Sequence, residues 1–114
     1  MNPKMKQGTL ELMLLAVLEH ESLYGLEILK AIGERSDDAF HFKEGSLYPA
    51  LHRLVKAKAV TAHWQDSTTG GAPRKYYTLT PKGKKFLAKQ KTDWDILRKA
   101  VDAVVMKPNN EGAK

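Results

Sequence analysis

Residues 43–56, with the sequence KEGSLYPALHRLVK, restrict the possible folds of this chain more than any other segment. Arranged as a helix, the segment gathers large apolar side chains on one face, at the spacing of three and four residues that a core-facing helix requires: Leu47, Leu51, Leu54 and Val55. The opposite face carries compact, hydroxyl and cationic side chains, namely Ser46, Pro49, His52, Arg53 and Lys56. Tyr48 lies at the border between the two faces. Such a helix fits the major groove of DNA, although an ordinary amphipathic surface helix has the same pattern.

The same segment predicts where this helix starts. Proline is tolerated best near the beginning of a helix, where its missing N–H is not needed for a hydrogen bond. Because Pro49 lies early in the segment, we predict that the helix begins near Gly45 or Ser46 and ends between Ala57 and Ala59.

Two further helices are predicted before this segment. Residues 1–8 are polar and basic and are predicted to form a loose arm, so that Thr9 caps a first helix that is buried on most of its circumference. Ser22 is predicted to cap a second helix. The buried side of this second helix is expected to consist of apolar residues, namely Leu26, Ile28, Leu29 and Ile32. Phe40 and Phe42 are expected to form a short extended segment that holds the next loop against the core.

A change of pattern after the third helix predicts a β-hairpin. Residues 60–64 and residues 74–79 have the composition of strands, and residues 66–73 (DSTTGGAP) between them are almost all turn formers. Arg74 and Lys75 lie at the base of this tip, where they suit phosphate contacts, although the hairpin could instead be purely structural. Three helices followed by two strands is the order of a winged helix, with the third helix as the recognition helix and the hairpin as the wing.

The C-terminal part predicts a long helix and a dimer. Thr80 followed by Pro81 is a strong helix start, and helix-forming residues continue to about Met106. A heptad-like seam runs along this helix, formed by Leu87, Gln90, Trp94, Leu97, Val101 and Val104. A second copy of the chain is the simplest partner for the seam, and packing onto the first helix of the same chain is the alternative.

These elements predict a fold class that is mostly α with a small β-hairpin (α+β). The expected parts are a winged-helix DNA-binding domain over residues 1–80, a C-terminal dimerisation helix over residues 81–106 and a disordered tail over residues 107–114. In a two-fold dimer the two recognition helices reach major grooves about one helical turn apart, at ~34 Å or ~10 bp. The predicted operator is therefore an inverted repeat in double-stranded DNA.

The composition restricts the classes of partner and of functional site that we expect. The chain of 114 residues has a formal net charge of +6 and a pI of about 9.6, which favour a polyanionic partner. It contains no cysteine, its four histidines are dispersed, and it shows no phosphate-binding loop, so we expect no catalytic residues, no cofactor and no metal site. The apolar run at residues 12–18 is too short to span a bilayer, and no signal-peptide pattern is present. We therefore expect a cytoplasmic protein without a membrane partner.

Four sequence blocks resemble the PadR family of bacterial transcriptional regulators: GTLEL at residues 8–12, YGLEI at 24–28, GSLYPALHRL at 45–54 and RKYYTLTPKG at 74–83. The resemblance extends from Gly8 to about Val105, and the single terminal helix is similar to that of the short subfamily, whose members dimerise through it. The resemblance implies a homodimeric repressor that releases DNA when an aromatic or other hydrophobic effector binds.

The resemblance also implies roles for individual residues. Candidates for contacts in the DNA groove are Ser46, Tyr48, Pro49, His52 and Arg53. Lys56 joins this set because it lies on the same cationic face, and the candidates near the DNA backbone are Tyr24, Arg74 and Lys75. In some short members a tryptophan on the terminal helix lines an effector pocket at the dimer centre, and Trp94 matches that position; Leu97 is a further candidate for effector contact. A role of Trp94 in packing alone is the alternative.

Two other functions are compatible with these patterns. One is a winged-helix module that binds proteins and has no operator. The other is an architectural DNA-binding protein without sequence preference, whose affinity would come from phosphate contacts alone.

Overall fold

The structure, a computed structural model, describes residues 3–107, with side chains from residue 9 onward. Its elements are α1 (Pro3–Val17), β1 (Leu23–Tyr24), α2 (Gly25–Arg35), α3 (Glu44–Lys56), β2 (Val60–Gln65), β3 (Arg74–Leu79) and α4 (Pro81–Met106). The predicted fold class is confirmed: three helices are followed by an antiparallel hairpin and then by one long helix.

The core lies where α1, α2, α3 and the sheet meet. Leu14 and Leu15 of α1, Ile28 of α2 and Leu51 of α3 have no exposed surface. Because α1 contacts each of the other three helices, it forms the centre of the domain. From residue 9 to the end of α1, where side chains are described, no residue is exposed, in agreement with the prediction of a helix buried on most of its circumference.

The predicted start of the first helix is wrong. α1 begins at Pro3, so most of the expected loose arm is helical and Thr9 lies inside the helix rather than at its cap. Proline is favoured at the first helical position, and the lysine, methionine and glutamine residues that follow are good helix formers. Residues 1 and 2 lie outside the described part of the chain.

The predicted cap of the second helix is also wrong. Tyr24, not Ser22, precedes α2, and its backbone N–H donates to Oε1 of Glu27 at 3.1 Å. The Ser22 hydroxyl instead shares a hydrogen bond with the hydroxyl of Thr78 on β3. The segment before α2 therefore belongs to the sheet.

The sheet has three strands, one more than predicted. β3 lies in the middle and pairs antiparallel with both neighbours, in the order β1-β3-β2. Leu23 pairs with Tyr77, and Val60 pairs with Leu79. All four side chains are buried, so the sheet closes one side of the core.

Two apolar predictions near α2 have different outcomes. Leu26 is 56% exposed, whereas Ile28 and Ile32 are buried. At 100° per residue, Leu26 lies on nearly the opposite side of the helix from these two isoleucines, and the prediction of its burial is wrong. The rings of Phe40 and Phe42 stack with their centroids 5.6 Å apart and pack against the core, as expected of a segment that fastens the loop before α3.

The third helix, α3, starts slightly earlier than predicted. It begins at Glu44, so Pro49 lies inside the helix rather than near its first residue. Pro49 has no N–H to donate to the carbonyl of Gly45, which costs the helix one internal hydrogen bond. Packing outweighs this loss, because one face of the helix is buried in the core through Leu47, Ala50, Leu51 and Leu54.

The last helix has its predicted bounds. The hydroxyl oxygen of Thr80 accepts a hydrogen bond from the Gly83 N–H at 2.9 Å, and Pro81 is the first helical residue. The helix continues to Met106, and the tail predicted beyond it lies outside the described residues from position 108 onward.

The first half of α4 packs on its own domain. Leu87 is only 2% exposed and belongs to the core. The ammonium of Lys91 lies 3.0 Å from Oε1 of Glu19, just after the end of α1. The prediction of Leu87 as a dimer contact is therefore wrong, because its own protomer encloses the side chain. The alternative of packing onto the first helix holds for this half of α4.

Candidate nucleic-acid interface

The side of α3 that faces away from the core is exposed. It carries the predicted polar and cationic residues, which are Ser46, Pro49, His52, Arg53 and Lys56. We call this surface the recognition face. Since α3 is fixed by contacts with α1, α2 and β2, the orientation of the recognition face is set by the core. Its contact with DNA stays a prediction.

Tyr48 connects α3 to the start of α2. Its ring lies over Gly25 so closely that a Cβ on this glycine would overlap the phenol hydroxyl and lie 2.9 Å from Cζ. Partial burial, and secondarily the nearby Glu44 carboxylate, raise the pKa of the Tyr48 phenol. The group therefore stays protonated at neutral pH and can donate a hydrogen bond.

Arg74 and Lys75 lie on opposite faces of the wing. Successive side chains of a strand point to opposite faces, and Tyr77 and Leu79 are buried against the core. Lys75 shares their face and lines an open groove with Tyr48, Pro49, His52, Val55, Ala62 and Tyr77. The recognition face and the wing therefore border one continuous groove.

Each cation of the wing lies over an aromatic ring. The guanidinium carbon of Arg74 is 4.6 Å from the ring centroid of Tyr24, and Nζ of Lys75 is 5.7 Å from that of Trp64. Tyr76 meets the Tyr24 ring edge-on at 5.5 Å. Cation–π contacts at exposed sites contribute about 0.5–1 kcal/mol, enough to favour one orientation of each cation. The sequence prediction omitted Trp64 from the site, although its cross-strand pairing with Lys75 could have indicated it.

Arg53 is joined to α1 by an ion pair. Its Nε donates to Oε2 of Glu11 at 3.2 Å, and the two side chains are 57% and 36% exposed. Glu11 was not among the predicted site residues. No local pattern could indicate it, because the two residues are 42 positions apart in the chain.

The second half of α4 exposes a row of apolar side chains. Trp94 is 43% exposed, and the row continues through Leu97, Val101 and Val104. We call these four residues the terminal apolar face. Unlike Leu87, they have surface available for a partner.

Between residues 3 and 107, no group of three or more His, Cys, Asp or Glu side chains is arranged to hold a metal ion. Within the same range, no helix combines the length and apolar character needed to cross a bilayer.

Comparisons with known proteins agree with this geometry. Residues 14–89 match the sequence profile described as the transcriptional regulator PadR-like family. A PadR-like transcription factor from Bacteroides fragilis is 35% identical, with a TM-score of 0.73 over 89% of this chain and 94% of the other. A PadR-like transcriptional regulator from Bacillus cereus is 30% identical, with a TM-score of 0.79 over 92% and 99%. An uncharacterised protein from Lysinibacillus sphaericus is 32% identical over 84% of this chain and 87% of its own length.

Proposed function

Because the chain belongs to the PadR-like family of transcriptional regulators, we propose that it is a dimeric, sequence-specific repressor that releases its operator when a small aromatic or hydrophobic effector binds. The observation that carries this proposal is the groove shared by the recognition face and the wing, which Pro49, His52 and Lys75 border together. A helix beside such a groove can contact base edges while the wing contacts phosphates. The net charge of +6 favours the same partner.

The exposed half of α4 supports dimerisation. The helix has 26 residues and is about 39 Å long, whereas only its first half is packed on the domain. The radius of gyration is 17.4 Å, compared with about 13 Å for a compact chain of 100 residues. A helix that extends from its domain with an apolar face is stabilised by a partner, and a second copy of α4 presents a matching face.

Dimerisation determines the form of the operator. Two recognition helices related by a two-fold axis contact successive major grooves on one side of the duplex, about 34 Å apart. The proposed operator is therefore an inverted repeat with half-sites about 10 bp apart. Such a sequence can be selected from a random DNA pool with the purified protein.

Substitutions on the recognition face and the wing test the proposed division of contacts. Arg53→Ala is expected to weaken binding to the selected inverted repeat by about 1–3 kcal/mol, the value of a lost bidentate contact with a base. Lys75→Ala is expected to weaken binding to the selected and to a scrambled duplex alike, because a phosphate contact carries no sequence information. Mobility-shift titrations at one fixed salt concentration measure both effects.

Three outcomes would contradict this proposal. Equal losses on both duplexes for Arg53→Ala would remove this residue as a base contact. If the unmodified protein bound both duplexes equally, it would be an architectural DNA-binding protein. Absence of any salt-dependent DNA binding would favour a module that binds other proteins.

Trp94 and Leu97 are the proposed contacts for the effector. In a two-fold dimer, Trp94 from each protomer can place a flat apolar ring surface beside its counterpart, and a planar ligand can stack between two such rings. Trp94 is 43% exposed in the single protomer and therefore has surface for this contact.

Tryptophan fluorescence tests the effector contact. The chain has two tryptophans, so Trp64→Phe leaves Trp94 as the only source of indole emission. Titration with a planar aromatic such as acridine is expected to quench this emission. Trp94→Leu is expected to weaken acridine binding by about three- to tenfold, as judged by the change in the ligand's own fluorescence, since an aromatic pair contributes about 0.5–1.5 kcal/mol. If quenching is absent with a panel of such compounds, Trp94 serves in packing alone.

A further inference from the structure

We infer that Glu11 is a positioning residue that sets the orientation of the Arg53 guanidinium and so raises the sequence discrimination of the recognition face. The inference rests on the proposed function, because Arg53 is there the proposed base contact. It starts from the ion pair in which Nε of Arg53 donates to Oε2 of Glu11 at 3.2 Å.

Among the residues whose side chains the structure describes, from position 9 onward, only the Nε donor of Arg53 is paired, with Glu11. Arginine has five N–H donors in one plane, and Glu11 occupies the single donor on Nε. Within that described part of the chain, the donors on the two terminal nitrogens have no protein partner, and a pair of parallel donors is what bidentate contact with guanine O6 and N7 requires. Glu11 therefore occupies the donor next to the aliphatic stem of Arg53 and leaves the outer edge of the group available.

The pair also restricts the motion of a long side chain. A free arginine on a surface loses up to about 2 kcal/mol of rotamer entropy when it is fixed in one geometry. Glu11 is itself carried by α1, the central helix of the domain, and is only partly exposed. An acceptor on this rigid element makes Arg53 lose less freedom when it meets a base.

Stability does not explain the pair. Exposed ion pairs contribute about 0–1 kcal/mol to folding, and the contact between α1 and α3 already rests on buried leucines such as Leu14 and Leu51. A carboxylate beside the recognition face also repels DNA phosphates, which lowers affinity for every sequence. An arrangement that weakens general binding while directing one base contact favours discrimination over affinity.

Two substitutions with the same charge separate positioning from electrostatics. Glu11→Ala and Glu11→Gln both remove the negative charge, but the glutamine keeps an oxygen that can accept the hydrogen bond from Nε. The experiment uses the full chain, a duplex with the inverted repeat selected from a random pool, and a scrambled duplex of the same length. The readout is the discrimination ratio, defined as the dissociation constant for the scrambled duplex divided by that for the selected duplex.

The expected results differ between the two variants. Both are expected to bind the scrambled duplex equally and more tightly than the unmodified protein. Glu11→Ala is expected to lower the discrimination ratio about fivefold, the equivalent of ~1 kcal/mol for an exposed pair, and Glu11→Gln is expected to restore part of it. In an Arg53→Ala background, neither substitution is expected to change the ratio further.

A second ion pair provides a matched control. Glu19, just after the end of α1, also pairs with a cation of a later helix, Lys91 of α4, which is not part of the recognition face. Glu19→Ala is expected to leave the discrimination ratio unchanged, and the thermal unfolding midpoints of all three variants are expected to stay close to that of the unmodified protein.

Each contrary result has one meaning. A discrimination ratio near one for the unmodified protein overturns the proposed function itself. If the unmodified protein discriminates but Glu11→Ala does so equally well or better, the inference about Glu11 is overturned while the proposed function stands. If the alanine and glutamine variants lose discrimination to the same extent, Glu11 acts through its charge and does not position Arg53.

Discussion

Val101→Glu is expected to convert the protein to monomers and to weaken its binding to the inverted repeat by about 10²–10⁴-fold. The substitution places a carboxylate in the middle of the terminal apolar face, where it would have to lose its hydration in the proposed dimer. Each monomer then holds one half-site only. The lost factor is the gain that linkage of two binding sites typically provides, about 10²–10⁴-fold. Light scattering at micromolar protein concentration measures the first effect, and a mobility shift measures the second.

Thr92→Glu is the matched control for this substitution. It introduces the same side chain at an exposed position of α4, and helical geometry places it on the opposite side of the helix from Trp94. This variant is expected to remain dimeric and to bind the inverted repeat with little change. Two results would contradict the proposed interface: dimers that persist with Val101→Glu, or dimers that Thr92→Glu disrupts to the same extent.

The sequence predicts α3 well because its apolar side chains follow the period of a helix. The apolar residues Leu47, Leu51 and Leu54 occur at the helical period, and all three are buried. The wing and α4 were equally predictable. Eight residues, almost all turn formers, separate the two strands, and Thr80 with Pro81 is a start signal that acts locally. Elements that are specified by short-range chemistry can be located without knowledge of the rest of the fold.

The parts that could not be predicted depend on contacts between distant segments. β1 has only two residues, so it has no periodicity of its own and exists because β3 is available to pair with it. The heptad-like seam of α4 was recognised, but its pattern could not indicate that Leu87 packs inside the protomer while Trp94 is exposed. The period of a pattern indicates which side of a helix is apolar, but it does not indicate which segment or partner packs against that side.

The candidate site also has one part that the local sequence predicts and another part that depends on contacts between distant segments. The exposed positions of α3 follow from the pattern of one helix, and alternation along β3 already implies that Arg74 and Lys75 point to opposite faces. The pairing of Arg53 with Glu11 and the position of Arg74 over Tyr24 arise only after α1, α3 and the sheet have packed. These contacts determine how the side chains of Arg53 and Arg74 are oriented. A local sequence pattern does not predict such an orientation, because the partner residues lie in distant segments.

The close approach of α4 to Ala59, in the turn between α3 and β2, leads to a large expected effect on stability. Gly83, in the first turn of α4, is buried, and a Cβ on it would overlap the carbonyl oxygen of Ala59 and lie 2.7 Å from Cδ1 of Leu79. The carbonyl cannot move freely, since it also accepts hydrogen bonds from Thr80, at 3.0 Å from its N–H and at 3.0 Å from its hydroxyl. The same hydroxyl accepts the cap hydrogen bond from the Gly83 N–H at 2.9 Å.

Gly83→Ala is therefore expected to lower the free energy of unfolding by about 3 kcal/mol, of which overpacking supplies about 2 and the disturbed cap about 1. For a domain of this size the unfolding midpoint is expected to fall by about 10 °C or more. Circular dichroism measures this shift, at one fixed protein concentration because the midpoint of a dimer depends on concentration.

Gly33→Ala is the control. Gly33 is also a buried helical glycine, but the nearest atom to its Cβ position is 3.8 Å away, so alanine is accommodated and is expected to raise stability by about 0.5–1 kcal/mol through helix propensity. Midpoints that move in the same direction for both variants would show that backbone propensity, rather than the contact of α4 with Ala59, determines the response at Gly83.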